Sequence, residues 1–150
     1  MRASGATGMV GGQLMDLMSE GRSVSVEQLE AVHRAKTGAL IAASVTMGGL
    51  AAGGAPEAID ALASAGEALG LAFQIADDVL DATASSETLG KTAGLDAALS
   101  KSTYASVLGV AAAKERGDHL VADAMRRLEA AGLRNGALME LARFVAARRS

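Results

Sequence analysis

Apolar residues recur at helical spacing along almost the whole chain, and glycine, proline and small polar residues divide the pattern into segments. Residues 9–19 read as a short helix that Gly21 ends. Ser25 and Gln28 form a capping-box pair that opens a long helix running toward Gly48 or Gly53. Ala55-Pro56 restarts the chain, with Pro56 at a favourable first helical position. The helix it opens should end near residues 82–84, and residues 85–100 read as irregular. Residues 102–116 read as helical, with Gly117-Asp118 as punctuation. A further helix then runs from Asp118 to a stop at Gly132, and a last one from Asn135 to about Arg148. Alternating β-branched segments joined by turn pairs do not occur. The pattern predicts an all-α fold.

Composition sharpens that expectation. The chain has 150 residues, half of them apolar, but only two Phe, one Tyr and no Trp. A core of Ala, Leu, Val and Met suits closely packed helices, and 150 residues suffice for one domain with a real core. Residues 37–56 carry no charge and approach membrane-spanning length. Five glycines there, with Ser44 and Thr46, leave few strongly apolar side chains, so a buried, tightly packed helix is expected and no membrane span. Net charge is −3 with the signs interspersed, which leaves no electrostatic footprint for nucleic acid. With no cysteine, disulfides, thiolate metal sites and thiol catalysis are excluded, and a cytoplasmic location is expected. The N-terminus has no apolar run of the signal-peptide kind.

The candidate chemistry lies in Phe73-Gln74-Ile75-Ala76-Asp77-Asp78-Val79-Leu80-Asp81, which puts three acids into a stretch that otherwise reads as helix core. On a helix Asp77 and Asp81 stand about 40° apart and roughly 6 Å along the axis, with Gln74 one turn earlier on the same stripe and Asp78 on its edge. Clustered carboxylates in an apolar setting repel one another and lose solvation unless a cation compensates them. Magnesium takes one or two carboxylates together with substrate phosphates. Lys36 is the second informative residue. Leu29, Val32, Leu40, Ala43 and Met47 all fall within about 40° of its direction on an ideal helix. It either snorkels to an edge or faces an internal anion, with Thr37 beside it as a hydroxyl donor. Lys91 and Lys101 add two cations in the segment after the acids. Carboxylates to hold magnesium and lysines to hold oxygens together make a diphosphate site. No Walker pattern or dinucleotide fingerprint occurs, and His33 and His119 lack the spacing of a zinc site. His33 is expected to be a helix-face residue and not a catalyst.

Several ordered segments carry a family resemblance: residues 8–17 (GMVGGQLMDL), His33-Arg34-Ala35-Lys36-Thr37-Gly38, residues 73–81, and Leu89-Gly90-Lys91-Thr92 through Lys101-Ser102-Thr103-Tyr104. The chain resembles the C-terminal half of trans-isoprenyl diphosphate synthases of the polyprenyl synthetase family, most of all the short-chain farnesyl and geranylgeranyl type. The resemblance implies the second half of an isoprenoid-synthase-type helical bundle, normally a homodimer, with a cavity between two aspartate-rich motifs. It implies magnesium-dependent head-to-tail condensation of isopentenyl diphosphate with an allylic diphosphate. Asp77, Asp78 and Asp81 match the second motif and would be metal ligands, with Asp77 and Asp81 foremost and Gln74 supporting. Lys36, Thr37, Lys91 and Lys101 match positions that hold the allylic diphosphate, and Phe73 would flank the homoallylic end. Gln13 and Asp16 match an outer-shell pair.

The family's first aspartate-rich motif, the arginines after it and the basic cluster for isopentenyl diphosphate have no counterpart here. Residues 1–150 are therefore expected to form the C-terminal half of a polyprenyl synthetase domain, a fragment inactive alone. Two other readings stand beside it: a catalytically silent chain that binds a diphosphate or a partner, and a relative of the terpene cyclases.

Overall fold

The computed structural model describes residues 2–87, 102–134 and 136–147, and among these every regular element is helical. In chain order the elements are α1 (Met9–Ser19), α2 (Val26–His33), a π-helical turn (Arg34–Gly38), α3 (Ala39–Ala51), α4 (Pro56–Glu87), α5 (Tyr104–Leu108), α6 (Val110–Ala130) and α7 (Ala137–Ala147). The all-α expectation is met.

Local chemistry explains most of the boundaries. The Ser25 side chain accepts from the Gln28 N–H while Gln28 Oε1 accepts from the Ser25 N–H, the two halves of a capping box. Pro56 opens α4, where its missing N–H costs nothing. Gly21, Gly53 and Gly132 take positive φ just past α1, α3 and α6. One predicted boundary is wrong. Gly117 lies buried in the middle of α6, and the break falls at Gly109, whose φ of +81° ends α5. A helix tolerates an internal glycine where close packing has no room for more, whereas φ > 0 all but demands one.

The 32-residue α4 is the axis of the fold. One flank contributes Leu62, Ala65, Ala68, Leu69 and Ala72 to a core completed by Val121, Ala124 and Leu128 of α6 and Met139, Ala142 and Val145 of α7. The other presents Leu71, Ile75 and Val79 to Leu29, Tyr104 and Ala113. Burial on both flanks explains why so apolar a helix is stable in this chain. The same helix, over residues 56–83, is long and apolar enough to cross a membrane by length and composition alone, but half of its most apolar window is buried inside the molecule.

The expectation for residues 37–56 needs correction. Helix α3 packs tightly along one line only: a Cβ added at Gly66 would lie 2.6 Å from Ala42 Cα, and one at Gly49 would meet the Leu62 and Ile59 side chains. None of its residues is fully buried, and Leu40, Met47 and Leu50 are exposed. The reason is the π turn. Its defining bond runs from the Ala39 N–H to the Arg34 carbonyl, five residues back. The extra residue rotates everything downstream, so the stripe expected on one side of Lys36 is split. Leu29 and Val32 are buried while Leu40 and Met47 turn outward.

Candidate functional site

Lys36 and Thr37 both lie within the π turn, and two glycine contacts hold that turn in place. On one side α1 passes so closely that a Cβ at Gly12 would stand 2.3 Å from Lys36 N and 2.6 Å from Lys36 Cα. On the other a Cβ at Gly70 of α4 would come within 2.6 Å of Gly38 Cα. The backbone of the turn is wedged between two helices that only glycine lets approach so near.

That approach brings the polar side chains together. Lys36 Nζ and Asp16 Oδ2 form a half-buried ion pair at 2.6 Å. Of the two readings left open for Lys36, an edge or an internal anion, the structure supplies an anion, and it is Asp16. Thr37 Oγ1 donates to Gln74 Oε1 at 2.9 Å, which fixes the π turn against α4 one turn before Asp77. Asp77 is half-buried and Asp81 exposed, so the stripe of Gln74, Asp77 and Asp81 runs from the Thr37 contact toward solvent. Gln13 is exposed on α1, three residues before Asp16. Phe73 is half-buried and packs against the core shared with α6 and α7. Lys91 and Lys101 lie outside the described residues.

Asp78 takes a different place from the other two acids. It is 7% exposed, and its Oδ2 accepts the Tyr104 N–H at 2.7 Å, the first N–H of α5. About 100° separates consecutive residues on a helix, which turns Asp78 away from the stripe and toward α5. Asp77 and Asp81 thus share the stripe, while Asp78 Oδ2 is engaged by the first turn of α5. A buried carboxylate is tolerable when it accepts such a charge-assisted bond.

Tyr104 is fully buried, and its ring stacks on His33 with centroids 5.6 Å apart and planes 23° from parallel. His33 is buried rather than on an open helix face, and neither of its ring nitrogens has a partner among the described residues. Burial pushes its pKa down to about 4; the Asp16 carboxylate opposes it, Lys36 reinforces it to a smaller extent, and Glu30 opposes it least. Desolvation likewise raises the Tyr104 hydroxyl well above its usual range. Nearby, Arg116 of α6 pairs with Glu30 of α2 through Nε at 2.8 Å and through Nη2.

As a donor set the stripe offers two carboxylates, and no group of three His, Asp or Glu converges among the described residues. That suits a hard cation bound largely by substrate oxygens and water, not a closed protein cage. Sequence periodicity did not reveal the π turn, the His33–Tyr104 stack or the glycine contacts. The only advance sign was the glycine spacing itself, at Gly12, Gly38 and Gly70.

Residues 2–135 match the family model described as Polyprenyl synthetase. The chain belongs to the polyprenyl synthetase family. It is 44% identical over 147 residues to farnesyl diphosphate synthase of Escherichia coli, covering 95% of this chain and 49% of that protein. It is 42% identical to the chloroplastic geranylgeranyl pyrophosphate synthase of Capsicum annuum, covering 98% of this chain and 40% of that one. Among solved structures, a Helicobacter pylori geranyltransferase complexed with magnesium and isoprenyl diphosphate superposes with a TM-score of 0.73 at 32% identity, covering 99% of this chain and 48% of that chain. A Legionella pneumophila geranyltransferase gives 0.75 at 32% identity, with 99% and 47% covered. The chain thus spans about half the length of the curated relatives it matches.

Proposed function

We propose that this chain forms the C-terminal half of a polyprenyl synthetase domain and supplies one wall of a prenyltransferase site. The reaction is head-to-tail condensation of isopentenyl diphosphate with an allylic diphosphate, giving farnesyl or geranylgeranyl diphosphate. The observation that carries this reading is the Thr37–Gln74 hydrogen bond. It sets the turn bearing Lys36 and Thr37 against the helix bearing Asp77 and Asp81, so an element with hydroxyl and ammonium donors packs on the element with the carboxylates. A diphosphate complexed with a divalent cation needs both. The relative solved with magnesium and isoprenyl diphosphate supports the same ligand chemistry.

In this reading Asp77 and Asp81 hold magnesium, with Gln74 orienting the stripe. When bound, magnesium neutralises the diphosphate as the allylic carbon–oxygen bond breaks. Lys36 and Thr37 offer an ammonium and a hydroxyl to the oxygens that gain charge as the bond lengthens, and Lys91 and Lys101 do the same from the following segment. Asp16 pairs with Lys36 before substrate arrives. The isopentenyl double bond attacks the allylic cation, and a proton leaves the new product to the departed diphosphate. No protein nucleophile is required, which agrees with a chain that has no cysteine. Phe73 would flank the homoallylic end, and a homodimer is the assembly the family likeness implies for the complete enzyme.

The test joins this chain to the first half of the Escherichia coli relative and measures incorporation of radiolabelled isopentenyl diphosphate. Asp77→Ala and Asp81→Ala should each lower turnover about 10²-fold or more, with smaller effects on KM. The chain without a first half should show no condensation. Near-normal turnover in both variants of the joined enzyme would overturn the assignment.

A further inference from the structure

Asp78 stands in the acid run but not on its stripe, and its contacts trace a closed path back to the diphosphate cradle. Its Oδ2 accepts the Tyr104 N–H at 2.7 Å. The Tyr104 ring stacks on His33. His33 is the residue immediately before the π turn, whose Thr37 hydroxyl returns to Gln74 on the helix that bears Asp78. We infer that Asp78 is a positioning residue: acting through Tyr104 and His33, it holds the turn carrying Lys36 and Thr37 in register with Asp77 and Asp81. This rests on the diphosphate reading above and assigns its residues different work. Two acids bind the cation, and the third fixes the distance between cation site and ammonium.

Three observations carry the inference. The carboxylate is buried, whereas Asp77 is half-buried and Asp81 exposed, so only the latter two can reach a ligand without repacking the helix. The π turn cannot slide independently, because Gly12 and Gly70 pin it on either side and any displacement is passed to His33 at its head. Tyr104 is fully buried, so its ring has no alternative place to go. A shift of α5 is then a shift of Lys36.

The test uses this chain joined to the first half of the Escherichia coli relative, as above, with two readouts. Backbone amide exchange reports on residues 34–39 and 104–108, and calorimetry with magnesium and inorganic pyrophosphate reports on the cradle. Asp78→Asn keeps an oxygen that can accept the Tyr104 N–H, so both readouts should stay within about threefold of the parent. Asp78→Ala should speed exchange in both segments by roughly tenfold and weaken pyrophosphate binding. Tyr104→Leu retains the N–H but removes the stacked ring, and it should speed exchange at residues 34–39 even if Asp78→Ala does not fold. Asp77→Asn should weaken magnesium-dependent binding about tenfold or more without altering exchange. If Asp78→Asn weakens that binding as much as Asp77→Asn, Asp78 is a ligand and the inference fails. Unchanged exchange at residues 34–39 in Asp78→Ala and Tyr104→Leu also overturns it. A joined parent enzyme that binds no magnesium pyrophosphate would instead defeat the proposed function, and the exchange pair would still decide the coupling.

Discussion

Replacing Gly12 with alanine adds one methyl group where α1 crosses the π turn, and the structure leaves no space for it. The new carbon would lie 2.3 Å from Lys36 N, 2.6 Å from Lys36 Cα and 2.8 Å from Ala35 C. All three are backbone atoms, so no rotamer change relieves the clash. To reach an ordinary separation α1 must retreat by about 1 Å or more. Overpacking of this kind costs roughly 1–3 kcal/mol, and the better helix propensity of alanine returns about 1 kcal/mol of it. The expected net effect is a loss of up to about 2 kcal/mol. Gly48 is the matched control. It lies in α3, is exposed, and a Cβ there would meet nothing within 4 Å. Gly48→Ala should therefore stabilise by about 0.5–1 kcal/mol. Urea denaturation of both variants, compared at equal slopes, measures the two effects with opposite signs. Retreat of α1 also draws Asp16, one turn beyond Gly12, away from Lys36, which loosens the 2.6 Å ion pair. Were Gly12→Ala as stabilising as Gly48→Ala, the close passage of α1 over the turn would be wrong, and with it the support given to Lys36.

His33 gives a pH prediction. Its folded pKa is about 4 against an ordinary 6.5, so as pH falls through 6.5 the unfolded chain takes up a proton that the folded chain refuses. Stability is full above about pH 6.5 and falls as pH drops toward 4, by on the order of 3 kcal/mol at most. His33→Phe should remove that part of the slope in denaturation curves taken between pH 7 and 4.5, and an unchanged slope would show that another group causes it. A second expectation concerns association. Val10, Leu14, Leu17 and Met18 on α1, Met47 and Leu50 on α3, and Phe144 on α7 are all more than half exposed, so the isolated chain should self-associate and bind a hydrophobic dye. Light scattering from a clean monomer with no dye signal would contradict this.

What the sequence reveals depends on how local the cause is. Helix ends were readable because their chemistry lies within a few residues: Ser25 with Gln28, Pro56, Gly21, Gly132. The Gly109 break was not, because two glycines eight residues apart look alike until one is known to take positive φ and the other to lie buried within a helix. The acids and Lys36 were readable by residue type, since few settings tolerate charge in an apolar helix. Their partners were not, because Asp16–Lys36 and Asp78–Tyr104 depend on which helices cross and where. For Asp78 the direction was already legible on the helical wheel, about 100° from Asp77, but the Tyr104 N–H it meets was not.

The π turn is the deeper reason that periodicity failed at residues 34–51. A wheel at 3.6 residues per turn assumes that one phase holds along the whole helix, and a single five-residue bond step breaks it. Upstream of the turn Leu29 and Val32 keep the predicted buried face, while downstream Leu40 and Met47 have rotated out. At the turn itself the widened backbone sets the direction of Lys36 and Thr37. A regular helix in the same place would put Lys36 on the apolar stripe with Leu29 and Val32, where a lysine is costly. The turn delivers it to Asp16 and delivers Thr37 to Gln74. One irregularity therefore accounts both for the exposed face of α3 and for the contacts of Lys36 with Asp16 and of Thr37 with Gln74. Restoring α-helical phase, by deleting one residue from Arg34–Gly38, would have to repair the first at the expense of the second.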